Sequence, residues 1–485
     1  MNISYLSFAA IMLVLSASVV CDAQRTASDE IDRYVKSQME KRKIPGLQLV
    51  VVKEGKIVKS KSYGLANVEL NAPVTDDTVF EIASNSKQFT AGGVMLLTQD
   101  GKLNLDDSIT RYISALPGTY DAITVRQLLN HTSGVKDYIE EFQLNRSLNY
   151  TNAELIEKIG ANALNFPPGT DARYSTTGYL LLGLIIEQIT GKPYGDFLKE
   201  RIFDPLGMSR TQVISIADIT TNRASGYRLD KGYLINGRYV AQTLRASADI
   251  GLMTTALDVA KWDAALRSTR IFTPYSIDSM FTPARLKDGS FAYNDWNGYF
   301  GLGWFIDDHF GHRQINHGGT FITGFSAEIA RYVDKKLTVI ILANRVPSDP
   351  ATIGYAVAGF FDAELIPPFR HTAKKDPSPS RTIRLRQWLA HAKAGTVDLD
   401  HLTHGFRSRL KPDQKTDIAE FMTEPSEFSY IDCAQTGKRA VERFGSRVLE
   451  ICHYKVARAD EVHFISFYLT SRGHIADLWI LSNVN

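Results

Sequence analysis

The chain has 485 residues, 44% hydrophobic and 22% charged, with a formal net charge of +2. That length exceeds one ordinary domain and predicts two, and the composition is that of a soluble globular protein with ample apolar material for a core. The near-neutral charge excludes an electrostatic nucleic-acid footprint and an acidic tail.

Leu6 to Val20 is almost uninterrupted apolar sequence, followed by Cys21-Asp22-Ala23-Gln24. It is short for a bilayer span and reads as a signal peptide over residues 1–23, although it lacks an early Lys or Arg. A retained membrane anchor is the alternative. Export, to the periplasm or beyond the cell, would leave a mature protein with no stable membrane insertion.

Leu47 to Val52 and Lys56 to Tyr63 alternate as strands joined at the turn Glu54-Gly55. Ser84 then opens an apolar helical stretch to about Leu97, closed near Gly101. Residues 102–170 read as short helices and loops. A second long helix runs from Gly178 to Thr190, stopped by Gly191. Ser326 to Tyr332 and Lys336 to Ala343 are strand-like. Strands at both ends with helices between predict an α+β fold, its antiparallel sheet assembled from distant segments.

Pro367, Pro368, Pro377 and Pro379 mark a linker over residues 366–381. The first large domain is thus 24–365 and a smaller α+β domain is 382–485. In the latter, Ile383 to Ala392 and Leu399 to Leu410 have helical spacing. Phe428 to Cys433, Val448 to Val456, Val462 to Leu469 and Ile475 to Leu481 read as strands. This order of helices and strands suggests a cystatin-like or nuclear-transport-factor-like arrangement, serving as a peptide-binding, shielding, dimerising or passive accessory unit. Cys433 and Cys452 lie on two of these strands, where a disulfide or two buried free thiols both fit.

Ser84 stands three residues ahead of Lys87, one turn apart on a helix face. A buried lysine there can accept the serine's proton and turn a weak alcohol into a nucleophile. A free lysine titrates near 10.4, so such a role needs desolvation and neighbouring charge. The spacing recurs at Ser133/Lys136 and Ser408/Lys411. The second of these sits among Arg407 and Arg409, with nothing to desolvate Lys411, and the first lies in a turn-like loop. Only Ser84 begins an apolar helix.

Two further segments select the same pair. One is Phe166-Pro167-Pro168-Gly169-Thr170-Asp171-Ala172-Arg173-Tyr174-Ser175-Thr176-Thr177-Gly178-Tyr179, and the other is Asn316-His317-Gly318-Gly319-Thr320. Gln127-Leu128-Leu129-Asn130-His131-Thr132-Ser133-Gly134 and Gly301-Leu302-Gly303-Trp304 accompany them. Over residues 30–360 the chain resembles the serine β-lactamase and penicillin-binding-protein superfamily, nearest its class C-like esterase and D-peptidase branch. The resemblance implies a β-lactamase/transpeptidase-like antiparallel sheet with flanking helices and a helical subdomain.

By that resemblance Ser84 would be the acylated nucleophile and Lys87 its proton partner. Tyr174 would shuttle the proton to the leaving group, and His317 would open the third motif on an edge strand. Gly318 and Gly319 would let substrate lie against that strand, and the backbone N–H groups of Ser84 and Thr320 would form the oxyanion hole. No cofactor or metal is implied, although His309, His312 and His317 and the pair His401/His404 are the histidine groupings a metal reading would use. Tyr150-Thr151-Asn152 offers a literal Tyr-x-Asn, but Thr151 or Asn152 there reads as a helix cap.

Two positions depart from the family pattern. Thr176 replaces the usual asparagine, and its hydroxyl could keep only the contact with the lysine. His317 replaces a lysine, removing a fixed cation for a substrate carboxylate at neutral pH. Both changes point to an esterase or D-amino-acid peptidase acting on a small-molecule or peptide substrate. A β-lactamase and a non-catalytic penicillin-binding sensor are the alternatives.

Overall fold

The computed structural model describes residues 29–294, 298–309, 311–393, 399–409, 427–436, 441–443, 445–458 and 461–481. The expected signal peptide, Cys21 and Lys411 lie outside the described residues. No helix among the described residues is long and apolar enough to cross a membrane.

The fold is α+β. Its main sheet runs, edge to edge, through Ala72–Pro73, Lys56–Asn67, Gly46–Lys53, Leu337–Ala343, Phe325–Tyr332, His312–Phe321, Phe305–His309, Gly298–Phe300 and Tyr293–Asn294. All neighbouring pairs are antiparallel. The predicted hairpin at Glu54-Gly55 is present, both residues having positive φ (51° and 78°) as a tight two-residue turn requires. Strand Gly46–Lys53 then pairs with Leu337–Ala343, almost 300 residues away in sequence, and this long-range pairing closes the sheet.

Alternation along Gly46–Lys53 explains the two cores. Leu47, Leu49 and Val51 face a layer built from the helix over residues 29–41 and the helix Pro350–Phe361. Ile31, Val35 and Met39, spaced by four, supply the facing stripe of the first helix. Val50 and Val52 point the other way, into the larger core shared with the helical layer. That layer holds Ser86–Gln99, buried from Ser86 to Leu97, and Thr176–Thr190, whose C-terminus ends at Gly191 as expected.

Two boundaries differ from expectation. Ser84 does not begin the helix: Ala83–Asn85 form a single 3₁₀ turn and the α-helix starts at Ser86. In the C-terminal part the first helix is Pro379–Lys393, starting inside the expected linker, because proline's fixed φ suits a first helical turn. The second expected helix, Leu399 to Leu410, is instead a 3₁₀ turn, Leu399–His401, and a short helix, His404–Arg409.

The C-terminal sheet orders Glu427–Gln435, Glu450–Arg458, Glu461–Leu469 and Ile475–Leu481, all antiparallel. Cys433 lies opposite Cys452 on adjacent strands, and the two form a disulfide. One face of this sheet buries Tyr454, Ile465 and Phe467 against Leu385, Trp388 and Leu389 of the helix. The other meets the main sheet, where Trp479 packs on His309 and Tyr355.

Candidate active site

The turn that presents Ser84 is held from both sides. Ala83 has φ 47°, a left-handed conformation that costs a non-glycine residue on the order of 1–2 kcal/mol and persists only where the surroundings impose it. Before it, the buried Glu81 accepts from Arg223 at 3.1 Å and pairs with Arg245. After it, the helix buries Lys87 completely while Ser84 stays partly open.

Lys87 Nζ lies 3.2 Å from Ser84 Oγ and 3.0 Å from the main-chain carbonyl of Asp249. The same nitrogen is 5.0 Å from the ring centre of Tyr174 and 5.6 Å from that of Tyr179. Ser84, Lys87 and Tyr174 therefore meet at one point, from segments 90 residues apart.

Tyr174 precedes the cap of the second helix. Ser175 Oγ accepts from the Gly178 N–H at 3.3 Å, the Ser175 N–H donates to His131 Nδ1 at 3.1 Å, and the Thr176 N–H donates to Asp137 Oδ2 at 2.6 Å. His131 then stacks on Tyr174, ring centroids 4.5 Å apart. Because Nδ1 accepts, the buried imidazole carries any proton on Nε2, and burial followed by the charge of Lys87 holds its pKa well below the ordinary value. Thr176 is buried at the first position of the helix. The hydrogen bonds of Lys87 go to Ser84 and Asp249 rather than to the Thr176 hydroxyl, so the contact expected of that side chain is not made.

The third motif lies on strand His312–Phe321. On this side of the strand, Phe305–His309 covers only residues 312–316, so, among the described residues, 317–321 keep one strand edge unpaired beside Ser84. At Gly319 a Cβ would fall 2.1 Å from the Ile82 carbonyl oxygen and 3.1 Å from the Asn85 nitrogen. Glycine is what lets this strand touch the Ser84 turn. Gly318 faces Glu328 on the neighbouring strand, and Thr320 is exposed.

His317 is buried under Phe305, whose ring stacks on it at 4.5 Å. Its Nδ1 is 2.6 Å from the Gly318 carbonyl, so Nδ1–H donates and Nε2 keeps its lone pair, with no partner among the described residues. Burial and then the positive charge of Lys87 push its pKa down to about 3. At neutral pH this histidine is uncharged.

Of the two decoy serines, Ser133 is buried in a turn and accepts from the Val135 N–H at 3.3 Å. Tyr150-Thr151-Asn152 is structural: Thr151 and Glu154 form a reciprocal capping box. His309 packs among Tyr332, Tyr355 and Trp479, away from His317. Among the described residues no three His, Cys, Asp or Glu side chains gather as a metal site would.

Sequence reasoning missed His131 and Asp249 as parts of this site. His131 stood in a segment already matched to the superfamily, and its φ of 60° marks a constrained turn. Asp249 follows Ala246-Ser247-Ala248, with no pattern in the chain to single it out.

The fold, the Ser84–Lys87 pair and the open strand edge define a β-lactamase-type scaffold. The sequence model of the Beta-lactamase family matches residues 31–359, and the chain belongs to that family of serine hydrolases and penicillin-binding proteins. Penicillin-binding protein 4* of Bacillus subtilis is 32% identical over 307 residues, covering 60% of this chain and 66% of the relative. Protein flp of Staphylococcus aureus is 27% identical over 325 residues, covering 66% of this chain and 63% of the relative. The chain thus spans a little under two thirds of the length of these curated relatives. An octameric penicillin-binding protein homologue from Pyrococcus abyssi shares the fold, with TM-score 0.59 and 23% identity over 93% of this chain and 99% of the other.

Proposed function

We propose that the protein is a serine hydrolase that cleaves an ester or a peptide/amide bond through an acyl-enzyme at Ser84. The observation that carries this reading is the fully buried Lys87 Nζ, 3.2 Å from a partly open Ser84 Oγ. Ser84 Oγ would attack the substrate carbonyl, its proton passing to Lys87 or Tyr174. Tyr174, over Lys87, would return a proton to the leaving group. The oxyanion would sit between the N–H groups of Ser84 and Thr320, and one such donor contributes about 2.7–4 kcal/mol of transition-state stabilisation. Substrate backbone would pair with the open edge at residues 317–321.

The neutral His317 supports an ester or D-amino-acid peptide substrate over a strict carboxylate-anchored one. Its ring offers an acceptor nitrogen in place of a cation. Thr176, which does not reach Lys87, supports the same preference.

Two measurements test the reading. The purified protein should be labelled by a fluorophosphonate or a fluorescent penicillin, and Ser84→Ala should abolish the label. A panel of p-nitrophenyl esters, D- and L-aminoacyl p-nitroanilides and nitrocefin then ranks the chemistry. Failure to label with either reagent would overturn the catalytic reading, and fast nitrocefin turnover with poor ester cleavage would replace it with a β-lactamase.

A further inference from the structure

Three side chains on one side of helix Ser86–Gln99 bond to a single loop. Ser86 Oγ accepts from the Leu252 N–H at 3.0 Å, Lys87 Nζ donates to the Asp249 carbonyl at 3.0 Å, and Thr90 Oγ1 donates to the Ala248 carbonyl at 2.6 Å. The loop is tight in itself: the N–H groups of Ile250 and Gly251 both reach the Ser247 carbonyl, at 3.2 and 2.7 Å. A Cβ at Gly251 would lie 2.3 Å from the main-chain carbon of Ala246. Main-chain groups therefore fix this loop on the helix, and none of these bonds uses the side chain of Asp249.

That side chain is nevertheless an acid, fully buried. Its Oδ2 accepts from the Tyr138 hydroxyl at 2.9 Å, and its Oδ1 has no hydrogen-bond partner among the described residues. Lys87 faces it from the helix, Tyr138 from the loop after Val125–Leu129, Tyr194 from the helix Tyr194–Leu198, and Ser247 from its own loop. Lys87 is the cation among them. An isolated buried carboxylate costs several kcal/mol, and the one full charge that favours its ionised form here is that of Lys87. Burial is the largest effect and raises its pKa, opposed first by the charge of Lys87 and then by the nearby Ser247 and Tyr138 hydroxyls.

We propose that Asp249 is a positioning residue of the site, whose carboxylate stabilises the ammonium form of Lys87 and thereby sets the pH at which Ser84 becomes reactive. The proposal rests on Ser84 being the nucleophile. It follows from a buried carboxyl group held rigidly beside the lysine, in the residue whose carbonyl binds Nζ, by a loop that does not need that side chain to fold.

The test is the rate of fluorophosphonate labelling of the full chain from pH 5 to 10, for wild type, Asp249→Asn and Tyr138→Phe. Labelling slows on the acid side as the proton acceptor fills. Without the carboxylate the proton is held less tightly, and the acid limb of Asp249→Asn moves to lower pH by about one pH unit. Tyr138→Phe removes the hydrogen bond that favours the charged carboxylate and moves the limb the same way by less. A loop-holding role would change the rate without moving the limb. Coincident acid limbs, or a displacement to higher pH, overturn the proposal while leaving Ser84 as nucleophile. A wild type not labelled at Ser84 overturns the nucleophile reading and this proposal with it. If Asp249→Asn does not fold, the Tyr138→Phe comparison decides.

Discussion

Arg443 donates from Nη2 to Asp307 Oδ1 at 2.7 Å, joining the paired C-terminal strands Val441–Arg443 and Ser446–Val448 to the main-sheet strand that carries Phe305. The same nitrogen reaches the Asp308 carbonyl at 3.1 Å, and Nε lies 3.6 Å from Asp477, which also accepts from the Tyr293 hydroxyl at 2.9 Å. This buried cation thus serves two carboxylates at the seam between the sheets. Arg443→Met should leave both without this counter-charge and cost about 3–5 kcal/mol. A lower unfolding midpoint and faster proteolysis between residues 366 and 381 would report it, with partial recovery in Arg443→Lys. An unchanged midpoint would remove Arg443 from the seam's energetics.

Gly319→Ala should cut Ser84 labelling by about a hundredfold, because a displacement near 1 Å at the strand edge is enough to do so. The clash is with the main-chain oxygen of Ile82, which cannot swing aside. Gly318→Ala is the comparison: its Cβ would press on the end of the Glu328 side chain at 3.1 Å and meet the Ala327 carbonyl at an ordinary 3.9 Å. Equal losses in the two variants would contradict the close approach at Gly319.

Stability should fall with acid below about pH 6.5. Burial first, then Lys87, lowers the His317 pKa from 6.5 to about 3, and burial lowers that of His453 to about 4. Between those values and 6.5 the unfolded chain binds protons that the folded chain refuses. Each histidine's contribution is therefore full above 6.5 and is lost as pH drops, by about 1.4 kcal/mol for every pH unit. Urea unfolding from pH 7 to 4 measures the slope, and His453→Gln should flatten it.

Glu328 works in the opposite direction. Burial, then the charge of Asp349, raises its pKa from 4.5 to about 8. Its contribution is present below 4.5 and is lost as pH rises toward 8. Glu328→Gln should therefore stabilise the protein at pH 8 by a few kcal/mol, about 1.4 kcal/mol for every pH unit crossed, and have little effect at pH 4. A pH-independent difference between the two proteins would refute this.

The Cys433–Cys452 bond closes a loop with a sequence separation of 19. Opening it should cost the C-terminal sheet about 3 kcal/mol through the freed unfolded chain. Thermal unfolding of the Cys433→Ser/Cys452→Ser double variant checks the figure against wild type.

Local pattern made much of this legible. The Glu54-Gly55 hairpin, the helix ended by Gly191 and the four C-terminal strands each follow from alternation, spacing or turn chemistry within a short window. The site was legible to the extent that its residues sit in recognisable runs, as Ser84, Lys87, Tyr174 and His317 do. His131 and Asp249 join it through contacts whose partners lie 44 and 162 residues away, and no local window contains such a pair.

The sequence by itself determined the class of fold, the segments that carry its chemistry, and the Ser84–Lys87 pair as their centre. The elements follow from short-range spacing, and the pair follows from the resemblance carried by the segments around Tyr174 and His317, since its spacing alone recurs at Ser133/Lys136 and Ser408/Lys411. Tertiary structure alone decided that Ser84 sits on a strained 3₁₀ turn rather than at the start of the helix, that His317 is neutral beneath Phe305, and that a buried carboxyl group stands beside Lys87. Burial and charge at those points arise from elements packed together across hundreds of residues, and it is this packing that sets their protonation and reach.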